Sequence, residues 1–280
     1  METCELIHSH ADVFKALHAT RVEKVNDNVY METSDKLHGR SWNRGLFIDH
    51  IKSSSVKDEV ENVVSKLSPI QPSLLITDVE VENSVKSYLQ KKHKITHEGT
   101  DTWMTMEKSN FLINRAISTD LDLYFVEDSE GAKSHFKVFN DIFNPEEYNA
   151  NNYRNLKECS DKAKAEFNLK SASIKSSYEN KKVLHFFAKR HEISIGCSTV
   201  SFSEDGKTAG LCHLGIKSFY RNDDLKEEGI RTLVNFSLKK VFELGAEKVL
   251  FSTDQSLAAS YKRMGADVNF SGKIISFDNK

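Results

Sequence analysis

The chain has 280 residues, of which 39% are hydrophobic and 29% are charged, and its formal net charge is −2. That length is enough for one large domain or two ordinary ones, and the composition favours a buried core over disorder. A nearly neutral chain with no strongly basic face argues against a protein that binds nucleic acid.

The cysteines are Cys4, Cys159, Cys197 and Cys212, and none of them forms a CxxC pair. This pattern predicts reduced thiols and no disulfide framework, zinc site or other metal centre. No apolar run approaches the roughly 20 residues that a membrane span needs. The N-terminus lacks a basic region followed by an apolar one, so we expect no signal peptide and a cytoplasmic protein.

Apolar spacing in the first half alternates between helical and strand periods. Residues 57–67 are the clearest helix, because Val60, Val63, Val64 and Leu67 fall on one face. The other elements predicted there are helices at 10–18 and 82–94 and strands at 28–32, 44–49, 74–77 and 103–106. The first half is therefore predicted to be α/β in its own right.

The second half begins near Phe111 with a strand at 121–126, followed by a helix that Ser129 caps and Asn144-Pro145 ends. Asp205-Gly206 indicates a hairpin turn between two strands. The further predicted elements are a helix at 152–167, antiparallel strands at 183–189, 193–202 and 209–216, a helix from about residue 224, a strand at 248–253, a short helix to residue 265, and a last hairpin of strands 267–270 and 273–277 around Ser271-Gly272.

Residues 209–266 form a strand, a loop, a helix and a second strand, which is the pattern of a parallel βαβ unit. Such units hold ligands at the carboxyl ends of their strands, near the start of the helix. Strict alternation along the first strand predicts that His213 shares a face with Leu211 and Gly215, and that Cys212 lies on the opposite face.

The element order of the second half occurs together with LGIKSFYR at 214–221, GI at 229–230, LGA at 244–246 and AASYKRMGA at 258–266. This combination resembles the GNAT-type N-acetyltransferases over residues 111–277. The resemblance implies a mixed α/β sheet of the GNAT type in a domain spanning 109–280. The helix–strand–helix–strand run at 57–106 repeats the shape of the later unit, which implies that residues 1–108 are a degenerate N-terminal copy in a tandem arrangement of two GNAT-like halves.

The resemblance also implies that acetyl-CoA is bound at the start of the helix after the 209–216 strand, where backbone N–H groups hold its pyrophosphate. The predicted cofactor-binding residues are Leu214, Ile216, Arg221, Lys226, Gly229, Ile230 and Arg231. Only Gly229 keeps a glycine of the family pattern, and Arg231 stands where the pattern has Gly or Ala. The helix start is also acidic. In the absence of a ligand, Asp224 and Glu227 would form a capping box, and their negative charge would be favourable at the positive end of the helix dipole.

The predicted catalytic residues are Tyr261, which would protonate the departing CoA thiolate, and His213, which would accept the proton of the amine. Packing on the sheet is the alternative for Tyr261, and a satisfied core or rim position is the alternative for His213. Weaker candidates for the base are His185 and Glu192. An acyl-enzyme on Cys212 is not favoured, because no histidine partner and no oxyanion donors can be assigned to it.

The sequence thus predicts an acyl-CoA-dependent N-acyltransferase, most simply an N-acetyltransferase. Its donor would be acetyl-CoA and its acceptor a small-molecule or protein amine, with no metal, nucleic acid or membrane, and a homodimer is a further expectation. Two alternatives stay open. The chain could be a binding or regulatory protein that keeps the fold without acyl transfer, or the first half could supply acceptor specificity or a dimer surface to an active second half.

Overall fold

The computed structural model describes residues 3–37, 42–48, 56–67, 72–111, 120–144, 161–217 and 225–279. Within these ranges the helices are α1 (Thr3–His18), α2 (Val56–Lys66), α3 (Val79–Lys92), α4 (Ser129–Phe143), α5 (Asp161–Ser177), α6 (Leu225–Glu243) and α7 (Gln255–Arg263), with a 3₁₀ turn at Lys108–Asn110. No helix in the described ranges is long and apolar enough to cross a membrane.

The described strands are β1 (Thr20–Asn26), β2 (Val29–Ser34), β3 (Arg44–Phe47), β4 (Ser73–Ile76), β5 (His93–Glu107), β6 (Asp122–Phe125), β7 (Val183–Arg190), β8 (Ile193–Phe202), β9 (Thr208–Ile216), β10 (Lys248–Asp254) and β11 (Asp267–Asn279). They form one sheet in the order β1-β2-β3-β4-β11-β5-β10-β9-β8-β7-β6. Only the β3–β4 and β9–β10 pairs are parallel. The two halves of the chain therefore share a continuous sheet, in which β5 pairs with β10 and the C-terminal β11 lies between β4 and β5.

Helices cover both faces of this sheet. On one face α2 and α3 bury the first-half strands, and α6 and α7 bury the second-half strands. On the other face α1 packs against both halves, and α4 and α5 pack beside it. Because α1 contacts β1 as well as β8 and β9, the first helix of the chain reaches the strands that form the second half.

The C-terminal strand corrects one prediction. Residues 267–277 were expected to fold as a hairpin around Ser271-Gly272, but they form a single 13-residue strand, β11. This strand pairs with β5 along its length and with β4 from Lys273 to Ser276, with an irregularity between Val268 and Phe270. The 15-residue β5 gives these residues a longer pairing partner than the second strand of a local hairpin would. Pairing across the sheet therefore overrides the turn signal.

Gly272 is required in β11 because the β4 backbone passes very close to it. A Cβ atom at this position would lie 2.8 Å from the carbonyl oxygen of Ile76. Gly272→Ala is therefore expected to lower the free energy of unfolding by about 1–3 kcal/mol, because backbone must move to admit the methyl group. Urea denaturation checks this. The exposed neighbour Lys273→Ala serves as a control, and equal stability of the two variants would contradict the expectation.

Several element bounds also differ from those predicted. Helix α1 begins at Thr3 rather than at residue 10, so the N-terminal histidines lie on a helix and not in a flexible terminus. Asp128, not Ser129, caps α4, because its side chain accepts a hydrogen bond from the Gly131 N–H at 2.7 Å. Helix α5 runs ten residues past its predicted end, and the start predicted for it lies outside the described residues. Strand β1 and the first part of β5 were not predicted.

Candidate functional site

The two parallel strands of the βαβ unit pair over a short distance and then separate. Strands β9 and β10 are paired from Thr208 and Lys248 to Gly210 and Leu250. Beyond this point β9 continues for six residues, to Ile216, and β10 for four, to Asp254. The two strands are therefore parted at their carboxyl ends, which is where ligands bind in such units.

A β-bulge in β9 accompanies this separation. The register between β8 and β9 shifts, so that Cys197 lies opposite Gly215 while Thr199 lies opposite Cys212. His213 sits at the shift with a φ of +49°, a left-handed conformation that costs energy in a residue with a side chain. The bulge turns the backbone between Cys212 and Leu214.

The bulge also corrects the predicted alternation along β9. Leu211 packs into the core beneath α6, as an alternating strand would have it, but Cys212 and His213 both lie toward α1. An inserted residue in one strand of a pair lets two consecutive side chains project to the same side. The assignment of Cys212 and His213 to opposite faces is therefore wrong.

A cavity of about 330 Å³ opens where the strands part. Its walls come from β9, β10 and α7 of the second half, and from α1 and the Trp42–Arg44 segment of the first half. The residues that line it are His10, Phe14, Trp42, Arg44, Phe143, Lys170, Leu211, Cys212, His213, Leu214, Phe251, Ser252, Thr253, Leu257 and Tyr261. Both predicted catalytic residues thus reach one cavity.

Tyr261 lies on α7 with only 6% of its surface exposed, and its ring packs on Phe251 at a centroid distance of 4.6 Å. Its backbone carbonyl accepts hydrogen bonds from the N–H groups of Met264 and Ala266, which end the helix. Burial raises the pKa of the Tyr261 phenol well above its usual value, so the hydroxyl keeps its proton throughout the neutral range. A phenol in this state can donate a proton but does not act as a base.

His213 lines the same cavity, edge-on to the rings of Phe139, Phe143 and His18. Burial lowers the pKa of His213 well below 6.5, and the charges of His18 and Lys170 lower it further. Its imidazole is therefore neutral at pH 7 and carries a lone pair on one ring nitrogen. That state allows it to accept a proton or to bind a metal ion.

The predicted cofactor-binding residues that the structure describes surround the junction of β9 and α6. Leu214 lines the cavity, whereas the side chain of Ile216 is buried and packs toward α6. A Cβ on Gly229 would lie 3.0 Å from Cδ1 of Ile216, so this glycine lets the first turns of α6 approach the end of β9. Ile230 packs against the core beneath α6.

The charged residues of that prediction are only partly described. Arg221 lies outside the described residues. Lys226 is in the first turn of α6, and Arg231 follows it with its side chain half-buried. The position of α6 beside the end of β9 agrees with a phosphate site at the helix start, while the contacts of these three cations with a phosphate stay a prediction.

The weaker candidates for the base do not line the cavity. His185 is buried and hydrogen-bonded on both ring nitrogens, to Ser177 and Thr199. Glu192 lies in an exposed turn beside Lys189. Of the second-half residues considered for base or nucleophile chemistry, only His213 and Cys212 reach the cavity wall.

The sequence did not predict the contribution of the first half to this cavity. His10 and Arg44 both line the cavity and hold the buried carboxylate of Glu32 between them, at 2.6 and 2.7 Å. Arg44 also donates to Asp101 Oδ2 at 3.1 Å, and its guanidinium lies 4.7 Å from the ring centroid of Trp103. Burial raises the pKa of Glu32, but the charges and hydrogen bonds of His10 and Arg44 outweigh it and lower the pKa to about 2. The sequence signal that could have predicted this contribution is the spacing of His10, Phe14 and His18, which places them on one face of a helix.

Comparison with known proteins finds this fold in solved structures. No protein-family profile and no curated protein sequence matches the chain. It is similar to a functionally unknown conserved protein from Staphylococcus epidermidis ATCC 12228, with 12% identity, a TM-score of 0.61, and coverage of 95% of this chain and 98% of that one. It is also similar to a GCN5-related N-acetyltransferase from Kribbella flavida, with 10% identity, a TM-score of 0.57, and coverage of 97% and 95%.

A third similar structure is a GCN5-related N-acetyltransferase from Sphaerobacter thermophilus, with 9% identity, a TM-score of 0.53, and coverage of 92% of this chain and 83% of that one. At these identities the comparisons concern the fold alone. They confirm the predicted mixed α/β fold of the GNAT type, and the similarity extends over nearly the whole chain.

Proposed function

We propose that the protein is an acyl-CoA-dependent N-acyltransferase that uses the cavity between β9 and β10. The observation that carries this proposal is the separation of two parallel strands beyond Gly210 and Leu250, with Tyr261 on the wall of the resulting cavity. An extended thioester substrate fits between strands that are no longer hydrogen-bonded to each other, because their backbone groups can then form hydrogen bonds with the substrate. The GNAT-type fold supports the same reading.

The binding of the CoA phosphates is assigned to the start of α6. Unpaired N–H groups and the positive end of the helix dipole favour an anion there. Gly229 supports this assignment because it brings that helix end against the end of β9. Lys226, Arg221 and Arg231 would offset the acidic residues of the same turn.

The reaction we propose is direct attack of the amine nitrogen on the thioester carbonyl. A C–N bond forms, the C–S bond breaks, and the products are an amide and free CoA thiol. Tyr261 donates its proton to the departing sulfur and is reprotonated from solvent. Burial keeps this phenol protonated at neutral pH, so the proton is present when the sulfur departs. The neutral imidazole of His213 accepts the proton that the amine loses.

The acceptor amine enters from the side formed by the first half. His10, Trp42 and Arg44 line that side of the cavity. This supports the view that the first half contributes acceptor specificity to the second. The acceptor can be the amine of a small molecule or of a protein side chain.

Acetyl-CoA binding and turnover test the proposal. We expect a dissociation constant below about 1 mM by isothermal titration calorimetry, and release of free CoA thiol with at least one primary amine from a panel of arylalkylamines, polyamines and lysine peptides. Tyr261→Phe should lower kcat by about a hundredfold while acetyl-CoA affinity is kept, because only the proton donor is removed. Tyr124→Phe, an exposed tyrosine on β6, is the matched control and should leave both quantities unchanged.

A second candidate function follows from the sequence of the helix start. Arg231 replaces the small residue of the family pattern, and Asp223, Asp224, Glu227 and Glu228 are acidic. These residues favour a protein that keeps the fold for binding or regulation without acyl transfer, since carboxylates repel a pyrophosphate. Absence of acetyl-CoA binding at millimolar ligand would support this candidate and would exclude the enzyme.

A further inference from the structure

Three side chains with metal-binding atoms converge beside the cavity: His18 at the end of α1, and Cys212 and His213 at the bulge of β9. One ligand atom from each lies within 4.8 Å of the other two. Two imidazoles and a thiolate are a ligand set that suits zinc and other late first-row transition metals. The sequence showed no such site because residue 18 is far from residues 212 and 213 along the chain.

The hydrogen bonds of His18 leave one of its nitrogens free to bind a metal. Ser173 donates its hydroxyl proton to the carbonyl oxygen of Leu17, so its oxygen accepts from Nδ1–H of His18 at 3.1 Å. The proton of the imidazole is thereby placed on Nδ1, and Nε2 carries the lone pair. The whole side chain of His18 is buried, and its Nε2 has no hydrogen-bond partner among the described residues. An unpaired polar atom in the core is costly, and a metal ion on Nε2 would remove that cost.

The other two side chains have a spacing that a tetrahedral metal accepts. Sγ of Cys212 lies 3.7 Å from Nδ1 of His213, and tetrahedral zinc with ordinary Zn–S and Zn–N bonds separates such atoms by about 3.6 Å. The left-handed backbone at His213 is what brings these consecutive side chains to one side. Strain of this kind is retained where a site requires it.

We propose that His18, Cys212 and His213 form a binding site for a zinc-like transition-metal ion, with its fourth coordination position open to the cavity. Cys212 and His213 line the cavity directly, so water or a ligand can reach the metal from it. Three protein ligands and one open position are the arrangement of zinc sites that exchange ligands, whereas structural sites have four protein ligands. This proposal replaces the sequence-based expectation that the chain has no metal site.

The Cys212 thiol, once deprotonated, supplies the negative charge that partly neutralises the metal ion. An ordinary thiol is protonated at pH 7, so the binding of M²⁺ releases the proton of Cys212 and leaves a site with a net charge of +1. The Lys170 ammonium is the nearby cation that opposes the metal, since its charge acts on both His18 and His213. Glu166 forms an ion pair with Lys170 at 3.8 Å, which reduces this repulsion.

The proposal does not rest on the proposed acyl transfer and is tested without acetyl-CoA. A metal on His213 would occupy the lone pair that accepts the amine proton, so metal binding and that role exclude each other. Titration of the purified apo chain with Co²⁺ should give one ion per chain, a sulfur-to-cobalt charge-transfer band and the visible bands of a tetrahedral site. In weak buffer, about one proton should be released for each ion bound.

Variants separate this site from adventitious binding. Cys212→Ser should abolish the charge-transfer band and the proton release, while Cys4→Ser, the matched control at a thiol remote from the cluster, should change neither. Ser173→Ala removes the group that positions His18 and should weaken metal affinity about 10–100-fold without loss of the band. The same Zn²⁺ concentration should raise the Tm of the parent chain, and should raise that of Cys212→Ser less.

A charge-transfer band that survives in Cys212→Ser would overturn the proposal, as would the absence of the band in the folded parent. The first result would assign the metal to other residues. The second would leave the Cys212–His213 contact as an S–H···N hydrogen bond only. Circular dichroism of each variant identifies any that fail to fold, and in that event the parent titration alone decides.

Discussion

Replacing Arg44 with methionine is expected to lower the free energy of unfolding by about 3–5 kcal/mol, because it leaves the Glu32 carboxylate buried beside His10 alone. Arg44 is 1% exposed and Glu32 is fully buried, so water cannot take the place of the guanidinium. Arg44 on β3 forms ion pairs with both Glu32 on β2 and Asp101 on β5, and so links two strands that are not neighbours in the sheet. Urea denaturation at pH 7 measures the loss.

An exposed ion pair provides the matched control. Lys66 and Glu23 are 43% and 59% exposed in their side chains and 3.0 Å apart, and Lys66→Met should cost less than about 1 kcal/mol. The double variant Arg44→Met with Glu32→Gln should be more stable than Arg44→Met alone, because it removes the buried negative charge as well as its partner. If the single and double variants were equally stable, the uncompensated charge would not be the cause.

The protein is expected to lose stability steeply as the pH falls below about 6.5. His18 and His135 are completely buried and His185 is 2% exposed. Burial is the largest cause in lowering the pKa of all three, for His185 from 6.5 to about 3. The folded chain therefore keeps these imidazoles neutral in mild acid, while the unfolded chain protonates them near pH 6.5.

The sign of the effect follows from proton binding. Below about pH 6.5 the unfolded state binds more protons than the folded state, so the free energy of unfolding falls with pH. Each histidine contributes about 1.4 kcal/mol per pH unit once it is protonated only in the unfolded state. These three together with His213, whose pKa burial also lowers, contribute about 5–6 kcal/mol per unit below about pH 5.5. Glu32 acts in a lower range. Its depressed pKa gives stability that is present above 4.5 and is lost as the pH falls toward 2.

Urea midpoints measured from pH 7.5 to 5 test this expectation. His185→Gln removes one of these histidines, and the stability of the variant should fall less steeply with acidification than that of the parent, by about 1.4 kcal/mol per pH unit. The exposed His191→Gln is a control in which one histidine is removed without a change of slope. A parent chain equally stable at pH 7.5 and pH 5 would show that the buried histidines take up protons without unfolding.

Local patterns in the sequence were sufficient for most of the fold. The apolar face of Val60 and Val63 marks α2, the Asp205-Gly206 turn marks the β8–β9 hairpin, and the βαβ order places α6 between β9 and β10. Each of these signals depends on residues within a few positions of one another. They also place Tyr261 on the helix after β10, where it reaches the cavity.

Contacts between distant parts of the chain decided the rest. The Ser271-Gly272 turn signal yielded to a strand because β5 is long enough to pair with all of β11. The bulge at His213 reversed the predicted side of His213 relative to Leu211, since register depends on the partner strand and not on the pattern of β9 itself. Whether two distant residues meet is set by the packing of whole elements, which no local spacing encodes.

The same reason separates the two sides of the candidate site. The strand, helix start and tyrosine of the second half could be predicted because they belong to one contiguous unit of the chain. The Glu32–Arg44 network and the meeting of His18 with Cys212 and His213 exist only because α1 packs across both halves of one sheet. The sequence by itself therefore determined the GNAT-type scaffold, whereas tertiary packing decided which charges and metal-binding atoms face its cavity.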